Sequence, residues 1–145
     1  MKLHRIDHIG ITVRDLPAMR DFLLALGMEV IGEDDVSGPW VDRVIGLDNA
    51  RSSIAMLKTP DGNANIELVQ FHHPASPGEA TPPHPMNVPG LRHLAFTVGD
   101  LEGTVAHLRQ KGAELLGEIV NYRDIYKLCC IRGPEGIILE LAEEL

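Results

Sequence analysis

The chain is read as an α+β protein built from two tandem copies of one module. Three observations predict this. A stretch near the N-terminus, Ile6 to Leu16 ("IDHIGITVRDL"), recurs at Leu91 to Leu101 as "LRHLAFTVGDL". The apolar pattern after each copy changes from alternation to helical spacing and back. Each half then closes on a similar stretch, "TPDGNANIEL" (Thr59 to Leu68) and "GPEGIILEL" (Gly133 to Leu141). Self-similarity at a fixed period is the mark of a duplicated structural unit.

A shift of 85 residues places His8 on His93, Thr12 on Thr97, Asp15 on Asp100 and Leu16 on Leu101. Farther on, Gly27 falls on Gly112 and Glu33 on Glu118. A small indel then shortens the offset, and Glu67 falls on Glu140. The first strand of each half alternates, with His8, Gly10 and Thr12 on one face and Ile9, Ile11 and Val13 on the other. His93, Ala95 and Thr97 repeat the pattern opposite Leu94, Phe96 and Val98. A helix follows. Asp15 and Asp100 suit its N-cap, since a carboxylate accepts the free N–H groups of a first turn. Pro17 fits an early position, where its missing N–H does little harm. Leu16, Met19, Phe22, Leu23 and Leu26 recur at helical spacing and predict a buried stripe. Gly27 and Gly112 predict the helix ends.

Strands are predicted at 29–33, 53–58 and 65–71 in the first half, and at 114–120, 128–132 and 137–141 in the second. "PDG" and "PEG" mark turns by composition. The unmatched segment 36–50 is expected to hold a short helix around Val41 to Ile45. Six prolines and no apolar period between His72 and Gly90 predict a linker. The expected organisation is one domain over 1–145, with module 1 at 4–71, the linker at 72–90 and module 2 at 91–145.

The 145 residues suffice for a real core, and 44% of them are apolar. A formal charge of −8 would repel polyphosphate at long range, so nucleic acid is not an expected partner. No run approaches the roughly 20 apolar residues that span a bilayer, so no membrane span is expected. "MKLHRIDHIG" lacks a long apolar stretch and a small-residue cleavage site, and a cytoplasmic location is expected. The two cysteines, Cys129 and Cys130, are adjacent, so on a strand they point to opposite faces and are expected to be unbonded thiols.

His8 and His93 occupy matched positions on first strands, and Glu67 and Glu140 matched positions on last strands. If a pseudo-twofold axis relates the halves, the four side chains converge on it. Two imidazoles and two carboxylates suit one divalent ion: zinc, nickel, cobalt, manganese or iron. The competing explanation is duplication alone, with polar residues left over from a common ancestor. Against it, both types recur at both matched positions, among apolar neighbours where a charge is costly unless paired or coordinated. His4, His72, His73, His84 and His107 are expected to be solvated. No nucleophile elbow, P-loop or dinucleotide fingerprint is present.

At "DHIGITVRDL", "RHLAFTV", "PDG…IEL" and "GPEGIILEL" the chain resembles the vicinal oxygen chelate superfamily. That group includes glyoxalase I, methylmalonyl-CoA epimerase, extradiol dioxygenases, and the bleomycin and fosfomycin resistance proteins. The resemblance implies two βαβββ modules whose sheets form an open, curved cup around a metal. Carried over by motif, it implies His8, Glu67, His93 and Glu140 as metal ligands, the set used by glyoxalase I members. It implies a metal-dependent isomerase, epimerase or lyase that removes a proton beside a substrate carbonyl, with Glu140 the first choice of base and Glu67 the second. It also implies a small-molecule substrate and a homodimer. The alternatives are an iron-dependent dioxygenase, disfavoured by a glutamate at position 67, and a metal-free binding protein of the resistance type.

Overall fold

The computed structural model describes residues 2–78 and 83–145. The chain separates into two compact units, Met1–Glu79 and Ala80–Leu145. The first contains β1 (Ile9–Thr12), α1 (Leu16–Leu26), β2 (Glu29–Ser37), α2 (Pro39–Ile45), β3 (Arg51–Lys58) and β4 (Asn65–His73). The second contains β5 (His93–Thr97), α3 (Leu101–Gln110), β6 (Glu114–Leu115), β7 (Val120–Tyr122), β8 (Tyr126–Arg132), a 3-10 turn (Pro134–Gly136) and β9 (Ile138–Glu144). This is the mixed α+β arrangement of tandem modules that the repeat predicts.

The two sheets share one topology. In the first the strand order is β1-β4-β3-β2, and in the second β5-β9-β8-β6, with β7 also paired to β8. First and last strands of a module run parallel, Gly10 beside Glu67 and Ala95 beside Glu140. The other neighbours are antiparallel.

Helices α1 and α3 each cover one face of the sheet of their own unit. Leu16, Met19, Phe22 and Leu23 of α1 are buried, together with Ala55, Leu57, Ile66 and Leu68 of β3 and β4. In the second unit Leu101, Val105 and Leu108 of α3 are buried with Cys129, Ile131, Leu139 and Leu141. Burying one such side chain contributes about 1.5–3 kcal/mol, so these two layers dominate the stability of each unit.

The helix ends follow the expected chemistry. Asp15 accepts the Ala18 N–H at 3.0 Å, and Asp100 accepts the Gly103 N–H at 2.9 Å. Gly27 and Gly112 both take left-handed backbone, with φ of 116° and 93°. Each donates its N–H three residues back, to Leu24 or Arg109, and the next residue closes onto Leu23 or Leu108. That pair of bonds satisfies the last helical carbonyls, and a side chain at either glycine would strain it.

Several boundaries differ from expectation: β2 runs on to Ser37, β3 begins at Arg51, β8 begins at Tyr126, and β9 spans Ile138 to Glu144. Strand β4 runs on through His72 and His73, which therefore stand at the end of the sheet and not in the linker, although both are exposed to solvent as expected. His72 meets the Ser53 hydroxyl at 2.7 Å, and His73 Nδ1 donates to the Asn49 carbonyl at 2.8 Å. The strand expected at 114–120 is two short pieces, β6 and β7, interrupted at Gly117, which has no side chain to pack. The short helix α2 begins at Pro39, two residues earlier than its apolar residues suggest.

The repeat also extends beyond the predicted positions. Gln70 Oε1 accepts the Leu16 N–H at 2.9 Å, and Glu143 Oε2 accepts the Leu101 N–H at 2.7 Å. Each acceptor stands three residues after the module's glutamate and satisfies the first N–H of the module's helix. Helix and last strand are thereby tied at their ends. Replacing Gln70 with Leu leaves that half-buried N–H without its acceptor, at a cost of about 1–3 kcal/mol. Gln70→Glu keeps an acceptor and adds a favourable charge at the helix start. In urea unfolding the Leu variant is expected to lose stability by that amount and the Glu variant none. Equal midpoints for wild type and Gln70→Leu would remove this tie from the account.

Candidate functional site

In a strand, neighbouring side chains take opposite faces. Leu68 and Ile66 point to α1, so Glu67 points to the other face. Leu139 and Leu141 point to α3, so Glu140 does the same. His8 and His93 lie beside them, because β1 and β5 are the parallel neighbours of β4 and β9. In unit 1 the His8 Nε2 stands 4.0 Å from Glu67 Oε2. In unit 2 the His93 Nε2 stands 3.4 Å from Glu140 Oε2. The side chains are 25–41% exposed, open to a ligand but flanked by apolar neighbours. Each unit therefore brings its own predicted pair together.

Small residues frame both pairs. Gly10 stands beside Glu67 in register, and Ala95 beside Glu140. On the far side Glu67 is matched by Met56 and Glu140 by Cys130. The opposed placement of the two cysteines follows: Cys129 is buried on the helix side and Cys130 is half-buried on the glutamate side, both free. Burial pushes the Cys129 thiol up to about 11, which keeps it protonated and unreactive.

Asp7 was not foreseen. Its carboxylate accepts from His8 Nδ1 at 2.9 Å and is also held by Arg5 at 3.1 Å. The hydrogen bond from His8, aided by the Arg5 charge, holds the Asp7 carboxyl below its ordinary value. An ionised carboxylate only accepts, so the proton of a neutral His8 sits on Nδ1 and the Nε2 lone pair faces Glu67. This is the arrangement that metal-binding imidazoles use. The sequence signal was the "DH" pair itself. The repeat hid it, because the matched position in the second half is Arg92.

The donor sets fit a divalent cation. Bonds of about 2.1 Å at a tetrahedral angle separate neighbouring donor atoms by about 3.4 Å. The His93–Glu140 spacing matches this, and the His8–Glu67 spacing exceeds it by about half an ångström, within reach of a small carboxylate rotation. Another cluster, Asp100, Glu102 and Glu143, also gathers carboxylate oxygens. It has a simpler account: Lys127 bonds Glu102 at 3.0 Å and lies 3.8 Å from Glu143, while Asp100 and Glu143 cap α3.

Comparison with known proteins shows the family and the fold. The pattern of the Glyoxalase/Bleomycin resistance protein/Dioxygenase superfamily matches residues 7–129. The chain belongs to that superfamily. A glyoxalase family protein from Bacillus cereus has the same fold, with a TM-score of 0.95 and 41% identity, covering 100% of this chain and 97% of that one. YwkD of Bacillus subtilis (strain 168) is 35% identical over 115 residues, 79% of this chain and 77% of its own length. The fosfomycin resistance protein FosX of Listeria monocytogenes, in a mutant form, shares the fold at 13% identity and a TM-score of 0.63, covering 97% of this chain and 90% of that one. That mutant was solved with Mn(II) and 1S,2S-dihydroxypropylphosphonic acid. Among the described residues, no helix is long and apolar enough to cross a membrane.

Replacing His93 with Ala removes one of the two candidate metal-binding side chains of unit 2. Metal analysis of protein purified without chelator is expected to show a stoichiometric divalent ion in the wild type and little in His93→Ala. Full metal content in the variant would count against the site.

Proposed function

We propose that the protein is a metal-dependent lyase, isomerase or epimerase, glyoxalase I-like or epimerase-like, that moves a proton on a carbon next to a substrate carbonyl. The observation that carries this reading is the doubled His–Glu pair, set on parallel first and last strands with a small residue beside each glutamate. His8, Glu67, His93 and Glu140 together would hold one divalent ion: zinc, nickel, cobalt, manganese or iron. When bound, the ion supplies Lewis-acid polarisation of a carbonyl, which lowers the barrier to removing an adjacent proton.

The chain's own residues do the rest. Glu140 is the general base in this reading, and its carboxylate is 34% exposed and so open to a small molecule. Glu67, 25% exposed, is the second carboxylate and the counterpart for return of a proton. Two carboxylates from separate modules suit a 1,2-proton shift or an epimerisation, which needs a base and an acid in turn. Asp7 is a positioning residue that fixes the tautomer of His8. Gly10 and Ala95 leave open the space in which a reacting carbon would lie. An iron dioxygenase would leave Glu67 without a role, and a metal-free binder would leave all four donors without one.

Glu140→Gln keeps the shape and one acceptor oxygen but cannot take a proton. With an α-hydroxyketone as probe, the variant is expected to fold and retain metal. Its deuterium exchange from solvent into the α-carbon is expected to fall by about 100- to 10,000-fold, the range for a lost general base. Loss in Glu67→Gln with Glu140→Gln unaffected would exchange the two roles. Full exchange in both variants would overturn the proton-transfer mechanism.

The same reading includes a homodimer and a cytoplasmic location. Strands β1 and β2 bound one sheet and β5 and β6 the end of the other, and pairing between copies would cover such edges. Light scattering at micromolar concentration is expected to give twice the 15.9 kDa chain mass. A stable monomer would refute the dimer.

A further inference from the structure

Arg132 stands on the same sheet face as the second pair. In register, His93 is matched with Ile138 and Ile138 with Arg132, one same-face position along from Ala95, Glu140 and Cys130. Two strand spacings put the backbones of His93 and Arg132 about 10 Å apart. The guanidinium is half-buried and held by carbonyls. Nη1 donates to Gly136 O at 3.1 Å and Nη2 to His84 O at 2.9 Å. The acceptors are themselves fixed. Gly136 has φ of 78°, and a Cβ there would meet Pro83 at 3.2 Å, so the turn and the chain at 83–84 seat closely together.

Among the described residues, the guanidinium has no counter-charge within ion-pair distance. Arg5, Arg20, Lys58 and Lys127 each hold a carboxylate at 2.9–3.3 Å. The contrast with Lys58 is the most telling, because Lys58 and Glu29 are matched across β3 and β2 as Arg132 and Glu114 are across β8 and β6. Lys58 closes onto Glu29 at 3.3 Å, whereas Arg132 turns to the two carbonyls. Among the described residues no carboxylate, Glu114 included, lies within ion-pair distance of Arg132, in a chain with 21 acidic and 13 basic residues. Carbonyls orient a guanidinium but do not neutralise it, and a half-buried cation without a counter-ion is costly. Two of its five N–H donors are committed, and the planar fork retains donors for a carboxylate.

We propose that Arg132 anchors the carboxylate of an anionic small molecule on the face that carries His93 and Glu140. Joined to the function proposed above, on which this extension rests, it names the substrate class: a carbonyl or hydroxy-carbonyl compound with a carboxylate a few carbons away. Arg132 thus acts on specificity and takes no proton.

The test compares two hydroxamates on the Mn(II)-loaded protein by calorimetry: acetohydroxamate, and succinomonohydroxamate, which adds a carboxylate two methylenes from the same head. Wild type is expected to bind the carboxylated compound about tenfold more tightly, the scale of one charge-assisted hydrogen bond. Arg132→Gln is expected to lose that preference while binding acetohydroxamate unchanged, and Arg132→Lys to keep part of it. A purely structural Arg132 would lower the melting temperature in Arg132→Gln and leave the preference intact, which overturns the proposal, as would equal affinities in wild type. If neither hydroxamate binds, the metal reading fails, and metal-free protein decides the fate of Arg132. Titration with succinate should then shift the Arg132 Nε–H resonance saturably, and no shift overturns the anchor.

Discussion

Leu68 in one module and Leu139 and Leu141 in the other are fully buried beneath a helix. A strand has two faces and no third choice, so the residue next to each leucine must point away from the helix. That constraint directs Glu67 and Glu140. Parallel pairing of first and last strands then supplies each glutamate with an imidazole neighbour. The polar pairs thus derive their positions from apolar burial on the opposite side. A slip of one residue in β9 would bury Glu140 under α3 and expose Leu139 and Leu141, at a cost of several kcal/mol.

Much of this was legible because it is written twice. A histidine in an alternating strand is uninformative alone, but His8 and His93 at matched positions, with Glu67 and Glu140 at matched positions, mark a shared design. Caps were legible for the same reason, since Asp15, Asp100, Gly27 and Gly112 each answer a local need of the backbone. What the sequence hid depends on contacts between distant segments. Gln70 and Glu143 are matched in space and role but differ in type, and nothing local says that a strand side chain will cap a helix more than forty residues away. Asp7 was hidden by asymmetry, because a search for repeats discounts a residue whose counterpart is Arg92. The interruption of the strand at Gly117 and the extension of β4 through His73 were set by pairing partners, which periodicity does not report.

The two modules are therefore alike in frame and unlike in electrostatics. Behind His8 stands an ionised carboxylate held by Arg5, whereas Arg92 precedes His93. The first unit matches its glutamate with Met56 and the second with Cys130. Both units place a cation two residues farther along that strand, but Lys58 is held by Glu29 and Arg132 by carbonyls. The two units share the burial pattern that aims their histidines and glutamates and differ at positions off that pattern.

The parallel pairing of β1 with β4, and of β5 with β9, has a consequence during synthesis. A module's first strand leaves the ribosome long before the strand that pairs with it. Until the last strand arrives, the central place in the sheet is empty, and β1 has no hydrogen-bonded neighbour at all. Closure of such non-local pairs is slow relative to helix or hairpin formation. Each histidine accordingly meets its glutamate only when its whole module has been made and has closed. A truncated or half-folded module would carry an unpaired imidazole, so each His–Glu pair comes into being only with the closure of its own module.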